Sequence, residues 1–141
     1  MQQVNDSIIF EIKAQADPDS LSEIRAIVRS SIEALGCDYH LTQKIVLAVN
    51  EACMNIIQHA YSNEVRGEFQ LSLKESDDVL YFTLTDNADH IDLESVKSRD
   101  LEDIRPGGLG LHFIKEVMDD FKIGHLDGKK GNYLEMVKRI N

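Results

Sequence analysis

Glu51, Asn55 and His59 stand at i, i+4 and i+8 in the run LAVNEACMNIIQHAY, residues 47–61. On a helix, at about 100° per residue, they stack into one narrow polar stripe with Gln58 beside it. The rest of that helix is apolar nearly all round. Ile45, Val46, Val49, Ala52, Cys53, Ile56, Ile57 and Ala60 fill one broad side, and Leu47, Met54 and Tyr61 extend it. So greasy a helix is normally buried, and a carboxylate inside a buried helix is costly unless something compensates it. Two readings stay open on this stretch alone. The stripe lines a ligand pocket, or it is the solvent-facing seam of an amphipathic helix.

Two further stretches carry chemistry. Asp86 closes the apolar alternation VLYFTLT and opens DNADHID. A carboxylate at a strand end can point into the layer between sheet and helices and accept a hydrogen bond from a ligand's exocyclic amine; it can equally be a solvated turn acid. The stretch PGGLGL, residues 106–111, puts several glycines at the mouth of a helix. Free backbone N–H groups and the positive helix end bind phosphate there, although a flexible hinge before a helix reads the same way. It is neither the dinucleotide fingerprint nor a P-loop: the third glycine, the preceding strand and the GK[ST] triplet are all missing.

These residues need elements to hold them. Residues 7–14, SIIFEIKA, alternate as a strand. Asp17, Pro18 and Asp19 supply turn and cap chemistry, and residues 20–35 form a helix with one apolar face, closed by Gly36. Residues 37–42 read as a connection, and the central helix follows to about residue 61. Residues 68–75 and 79–85 alternate on either side of Asp77-Asp78, which predicts an antiparallel hairpin. Residues 91–98 can start a short helix, and 98–106 form a charged loop of the kind that often serves as a lid. A helix over 111–119, a strand over 121–126, a turn at DGKKG and a strand over 132–140 complete the chain. The order β-α-α-β-β-(lid)-α-β-β predicts an α+β two-layer sandwich, with helices on one face of a mixed, mostly antiparallel sheet.

The 141 residues are the size of one domain, 1–141. A net charge of −10 disfavours direct nucleic-acid binding, which needs clustered Lys and Arg. No apolar run approaches a membrane span, and the opening MQQVNDSIIFEIK lacks the regions of a signal peptide. A cytoplasmic protein is therefore expected. Cys37 and Cys53 make no CxxC, and the five histidines make no HxxxH or HExxH, so no structural or catalytic zinc site is expected.

Taken together, ExxxN on a buried helix, a strand-end Asp, a loop and GGLGL opening a helix form an order that resembles the GHKL superfamily of ATP-binding domains. Within it the chain is most similar to the stand-alone anti-sigma-factor serine/threonine kinases of bacterial partner-switching systems. NEACMNIIQHAY carries the resemblance most specifically and RPGGLGLHFIKEVMD next, and it runs on into DGKKGNYLEMVK. It implies an ATP-binding, kinase-like domain with ATP and Mg²⁺ as cofactors. Asn55 would hold the Mg²⁺ and Glu51 would act as general base towards an attacking hydroxyl. Asp86 would hold the adenine amine. Gly107, Gly108 and Gly110, with the backbone of Leu109 and Leu111, would close over the phosphates. Gly131 and Asn132 match the family's last box near the adenine, and Ala88 stands in the box that Asp86 opens. His59 reads as a pocket-wall or packing residue, and Arg105 as a contact to phosphate or partner or, more simply, as an exposed Arg with no fixed partner.

The partners implied are a STAS-type anti-sigma antagonist as phosphoacceptor and a sigma factor or related regulator that the kinase sequesters; family members also often dimerise. The competing expectation is a non-catalytic partner-switching protein with weak or no nucleotide binding. The catalytic domain of a sensor histidine kinase is less favoured, because the chain enters its first strand at once, without a dimerisation helix pair. Three positions depart from the family pattern. Ala88 stands where Gly is usual and resists positive φ, at no cost in a standard conformation. His90 is bulky for its place, and Asn132 stands where Thr is common.

Overall fold

The computed structural model describes residues 6–59, 67–93 and 110–141. Strand β1 (Asp6–Gln15) leads into a short 3₁₀ turn (Pro18–Ser20), where the Asp17 carboxylate accepts from the Asp19 N–H at 2.9 Å. Helix α1 (Leu21–Ala34) follows, and Gly36 ends it with φ +86°, a value that glycine reaches without strain.

Helix α2 (Tyr39–His59) starts earlier than the sequence pattern predicts. Asp38 is the reason. Its Oδ1 accepts from Leu41 N at 2.8 Å, and its carbonyl accepts from Thr42 N at 2.9 Å. This is N-cap chemistry that satisfies donors left over at a helix start. Residues 39–42 of the expected connection are therefore the first turn of α2.

Strands β2 (Glu68–Ser76) and β3 (Val79–Asp86) form the expected hairpin. Asp77 and Asp78 both take positive φ, 50° and 64°, as a two-residue turn matched to strand twist requires. Helix α3 (Gly110–Val117), β4 (Asp120–His125) and β5 (Asn132–Arg139) complete the described chain. The sheet order is β1-β2-β3-β5-β4, and every pairing among the described strands is antiparallel. The last strand inserts between β3 and β4, which brings the start of β5 beside the end of β3.

One face of the sheet meets the helices. Phe69, Leu71, Leu73, Leu80, Phe82, Leu84, Leu134 and Met136 share a single core with Ile24, Val28 and Ile32 of α1, Ile45, Val49, Ala52 and Cys53 of α2, and Ile114 and Val117 of α3. Helix α2 packs between α1 and α3 and reaches β3. Arg25 donates to the Asn50 side chain at 3.0 Å and ties α1 to α2. Two apolar residues of α2 stay outside this core: Leu47 is 48% exposed and Tyr39 69%. Leu47 thus does not extend the buried side as its spacing suggests. The short helix expected after residue 91 is described only to Leu93, and the lid at 98–106 lies outside the described residues. No described helix is long and apolar enough to cross a membrane.

Candidate functional site

Alternation along β3 decides where Asp86 points. Leu80, Phe82, Leu84 and Asp86 form one buried series, so the carboxylate continues the core-facing row. It is 4% exposed, which removes the solvated-turn reading. A buried carboxylate needs donors, and the neighbouring strand and turn provide them. Asp86 Oδ1 accepts from Ala88 N at 3.0 Å, Asn132 N at 3.1 Å and Asn132 Nδ2 at 3.0 Å. All three fall on one oxygen; Oδ2 takes no hydrogen bond from the described residues.

Asn132 begins the buried series of β5 and works as a bracket. Its Nδ2 also donates to Asp89 O at 3.1 Å, and its Oδ1 accepts from Ile91 N at 2.9 Å. The segment after β3 is thereby held from both sides. Gly131 lies immediately before this bracket with φ +118°, and a Cβ there would overlap the Asp86 carbonyl oxygen. Ala88 is buried and does not adopt a positive φ. It therefore sits in the unstrained conformation in which Ala costs nothing relative to Gly. His90 stacks on His125, and its Nε2 meets the carbonyl of Lys129.

Glu51 and Asn55 lie one turn apart on α2, both half-buried. The Nδ2 of Asn55 is fully buried, with no hydrogen-bond partner among the described residues. Such an orphan costs about 1–3 kcal/mol, a cost that contact with a ligand offsets. Among the described residues no cluster of three His, Cys, Asp or Glu is placed to hold a metal ion. Mg²⁺ needs none: it keeps several waters and takes one or two protein oxygens plus substrate phosphates. A half-buried side-chain amide on a rigid helix suits that ligand set.

The structure brings Asp86, Ala88 and Asn132 into one hydrogen-bonded unit, with the Gly131 α-carbon close against the Asp86 carbonyl, and sets Glu51 and Asn55 on the helix that reaches β3. The described cavities do not join the two groups. A depression of about 300 Å³ at the strand ends has Thr85, Asp86, Asn87, Leu126 and Lys129 on its wall and no residue of α2. Gly110 opens α3, and Leu111 buries its side chain in the core. Arg105, Gly107, Gly108 and Leu109 lie outside the described residues, as does the side chain of His59. Nothing in the sequence pattern assigns a role to His125, and His90 stands out there only by its bulk. The two are 35 positions apart, and no spacing links them; only the closeness of the β3 end to the β4–β5 hairpin does.

Comparison with known proteins agrees with this frame. The family described as the histidine kinase-like ATPase domain matches residues 14–138. The serine-protein kinase RsbW of Bacillus velezensis is 29% identical, over 94% of this chain and 86% of its own length. RsbW of Bacillus cereus (strain B4264) is 32% identical, over 84% of this chain and 79% of its own length. The crystal structure of the RsbU and RsbW domains of Rv1364c from Mycobacterium tuberculosis superposes with a TM-score of 0.66 at 18% identity, over 93% of this chain and 31% of that one. A chain of the SiaB-SiaC complex from Pseudomonas aeruginosa gives 0.64 at 14% identity, over 92% and 89%. At those identities the solved structures establish the fold alone. The family match spans most of the sequence, from within β1 to within β5: the chain belongs to the histidine kinase-like ATPase domain family.

Proposed function

We propose that residues 1–141 form one ATP-binding domain that acts as a serine/threonine protein kinase of the anti-sigma-factor type. It binds ATP with Mg²⁺, phosphorylates a STAS-type antagonist and sequesters a sigma factor or related regulator. The observation that carries this reading is the half-buried Asn55 side chain, whose fully buried Nδ2 has no hydrogen-bond partner among the described residues, one turn from the Glu51 carboxylate on α2. The RsbW relatives are named serine-protein kinases, which supports the same reaction class.

The chain's own residues divide the work as follows. Asp86, with Oδ1 already satisfied by three donors, has Oδ2 for the exocyclic amine of adenine. Asn55 would be the protein ligand to the metal, which when bound neutralises charge on the phosphates. Glu51 would take the proton of the attacking serine or threonine hydroxyl. The glycines from Gly107 to Gly110 would give backbone N–H groups to the phosphates. Phosphoryl transfer asks for positioning and charge neutralisation more than covalent help, so a rigid helix bearing base and amide in fixed relation suits it.

The test is transfer of the labelled γ-phosphate of ATP to a co-encoded STAS-type protein by the wild-type chain. Transfer dependent on Mg²⁺ is expected. ATP bound without transfer would reject the kinase role and favour a non-catalytic switch.

A further inference from the structure

Two imidazoles lie face to face beside the Asp86–Asn132 pair. His90 comes from the segment after β3, and His125 ends β4. Their ring centroids are 4.2 Å apart and their planes 2° from parallel. Each ring also reaches across to the other element's backbone. His90 Nε2 meets the Lys129 carbonyl at 3.0 Å, and His125 Nε2 meets the Ile91 carbonyl at 2.8 Å. A carbonyl only accepts, so both Nε2 atoms carry a proton, an assignment made from the partners.

The two bonds run in opposite directions. The ring from the loop holds the hairpin turn, and the ring from the hairpin's first strand holds the loop. Asn132 adds its own two bonds, to Asp89 O and from Ile91 N. Four backbone atoms between residues 88 and 91 are thus fixed by side chains: Ala88 N, Asp89 O, Ile91 N and Ile91 O. The Lys130–Asp89 ion pair, 3.1 Å and highly exposed, adds little. A connecting loop ordinarily has few such ties, and this one carries a donor to the carboxylate assigned to the nucleobase.

We propose that His90 and His125 are positioning residues for nucleotide binding. Their stack clamps the segment after β3 onto the β4–β5 hairpin. The clamp keeps Ala88 N and Asn132 Nδ2 on Asp86 Oδ1, so that the carboxylate is preorganised and its other oxygen is presented to the base. The effect on binding rests on the ATP-binding reading above; the clamp itself does not. Neither ring touches the reacting atoms, so affinity changes and the turnover step does not. Preorganisation of this kind raises affinity by removing the cost of ordering the loop on binding.

The experiment uses the full chain with His90→Ala, His125→Ala, the double variant and His90→Phe, which keeps a stacking face. Hydrogen exchange at the Ala88 and Ile91 amides is read without nucleotide, and affinity for ATP with Mg²⁺ by calorimetry. Either alanine variant is expected to exchange at those amides about tenfold faster, with partial recovery in His90→Phe. ATP affinity is expected to fall about tenfold, equivalent to ~1.4 kcal/mol, with no further loss in the double variant and unchanged kcat at saturating ATP. Unchanged exchange overturns the clamp. Faster exchange with ATP affinity within twofold of wild type overturns the positioning role, as do single losses that multiply in the double variant. A wild type that binds no ATP while exchange responds as expected overturns the kinase reading and supports the clamp alone.

Discussion

The carbonyl oxygen of Asp86 lies where a side chain on residue 131 would begin. Gly131 therefore does two things at once. Its φ of +118° turns the chain out of the β4–β5 hairpin, and its bare α-carbon lets β5 start directly against the end of β3. Leu126 N donates to its carbonyl at 3.0 Å and closes the turn. Gly131→Ala meets both a strained backbone and a backbone overlap that no rotamer relieves. A loss of roughly 2–4 kcal/mol is expected, from a strained φ and displacement of close-packed atoms. Urea unfolding followed by far-UV circular dichroism checks this; a midpoint within error of wild type would contradict the packing described.

Asp86→Asn separates the carboxylate's charge from its place in the core. The three donors to Oδ1 can still bond to an amide oxygen, so the fold should survive with a loss of about 1–2 kcal/mol from weakened charge-assisted bonds. The other position becomes an N–H donor facing the donor amine of adenine. ATP affinity should drop at least about 30-fold, which corresponds to ~2 kcal/mol, and the preference for ATP over GTP should shrink. Calorimetry with both nucleotides decides. Retained affinity and preference would mean that the base does not sit on Asp86.

Glu51 and Asn55 make opposite predictions from one turn of helix. Glu51→Ala should cut phosphate transfer at least about 100-fold, the scale of a lost general base, while ATP still binds. Asn55→Ala should weaken ATP binding in the presence of Mg²⁺ and leave the metal-free affinity nearly unchanged. It also removes the orphaned buried Nδ2, so its thermal stability should equal or exceed that of wild type. Transfer rates and calorimetry with and without Mg²⁺ distinguish the two. Matching losses in both variants would dissolve the division of roles.

Parts of this arrangement were open to a reader of the sequence and parts were not, for physical reasons. The β2–β3 hairpin follows from strict alternation around Asp77-Asp78, because a period of two and a two-residue turn leave one register. The inward aim of Asp86 is the same alternation carried one step further. Apolar periodicity begins only at Ile45 and so sets the start of α2 too late, whereas the helix starts at the Asp38 cap with a largely polar first turn. Leu47 looked buried because spacing cannot say how wide the covered face is. The position of β5 between β3 and β4 is a long-range pairing with no local signal, and the Asn132 bracket and the His90–His125 stack depend on it.

Cys53 gives a prediction about pH. It is wholly buried in α2 against the core, and burial alone pushes its thiol from an ordinary 9.0 up to about 12. The half-buried Cys37 is also raised, first by burial and then by the nearby Asp38 and Glu75 carboxylates. A raised folded pKa means that the folded state resists losing the proton. Below about pH 9 the thiol is protonated in both states and nothing changes. Between about pH 9 and 12 the unfolded chain releases a proton that the folded chain keeps, so stability falls as pH rises. By pH 10 the loss through Cys53 is about 1.4 kcal/mol. Cys53→Ala lacks this component but retains that of Cys37. Near pH 7 the wild type should be the more stable of the two, and the gap should narrow steadily up to pH 10. Urea midpoints under reducing conditions across that range measure it, and a gap that stays constant would mean the thiol is not held neutral by the core. In the same buffer at pH 8, a thiol reagent should label Cys37 slowly and Cys53 only after unfolding.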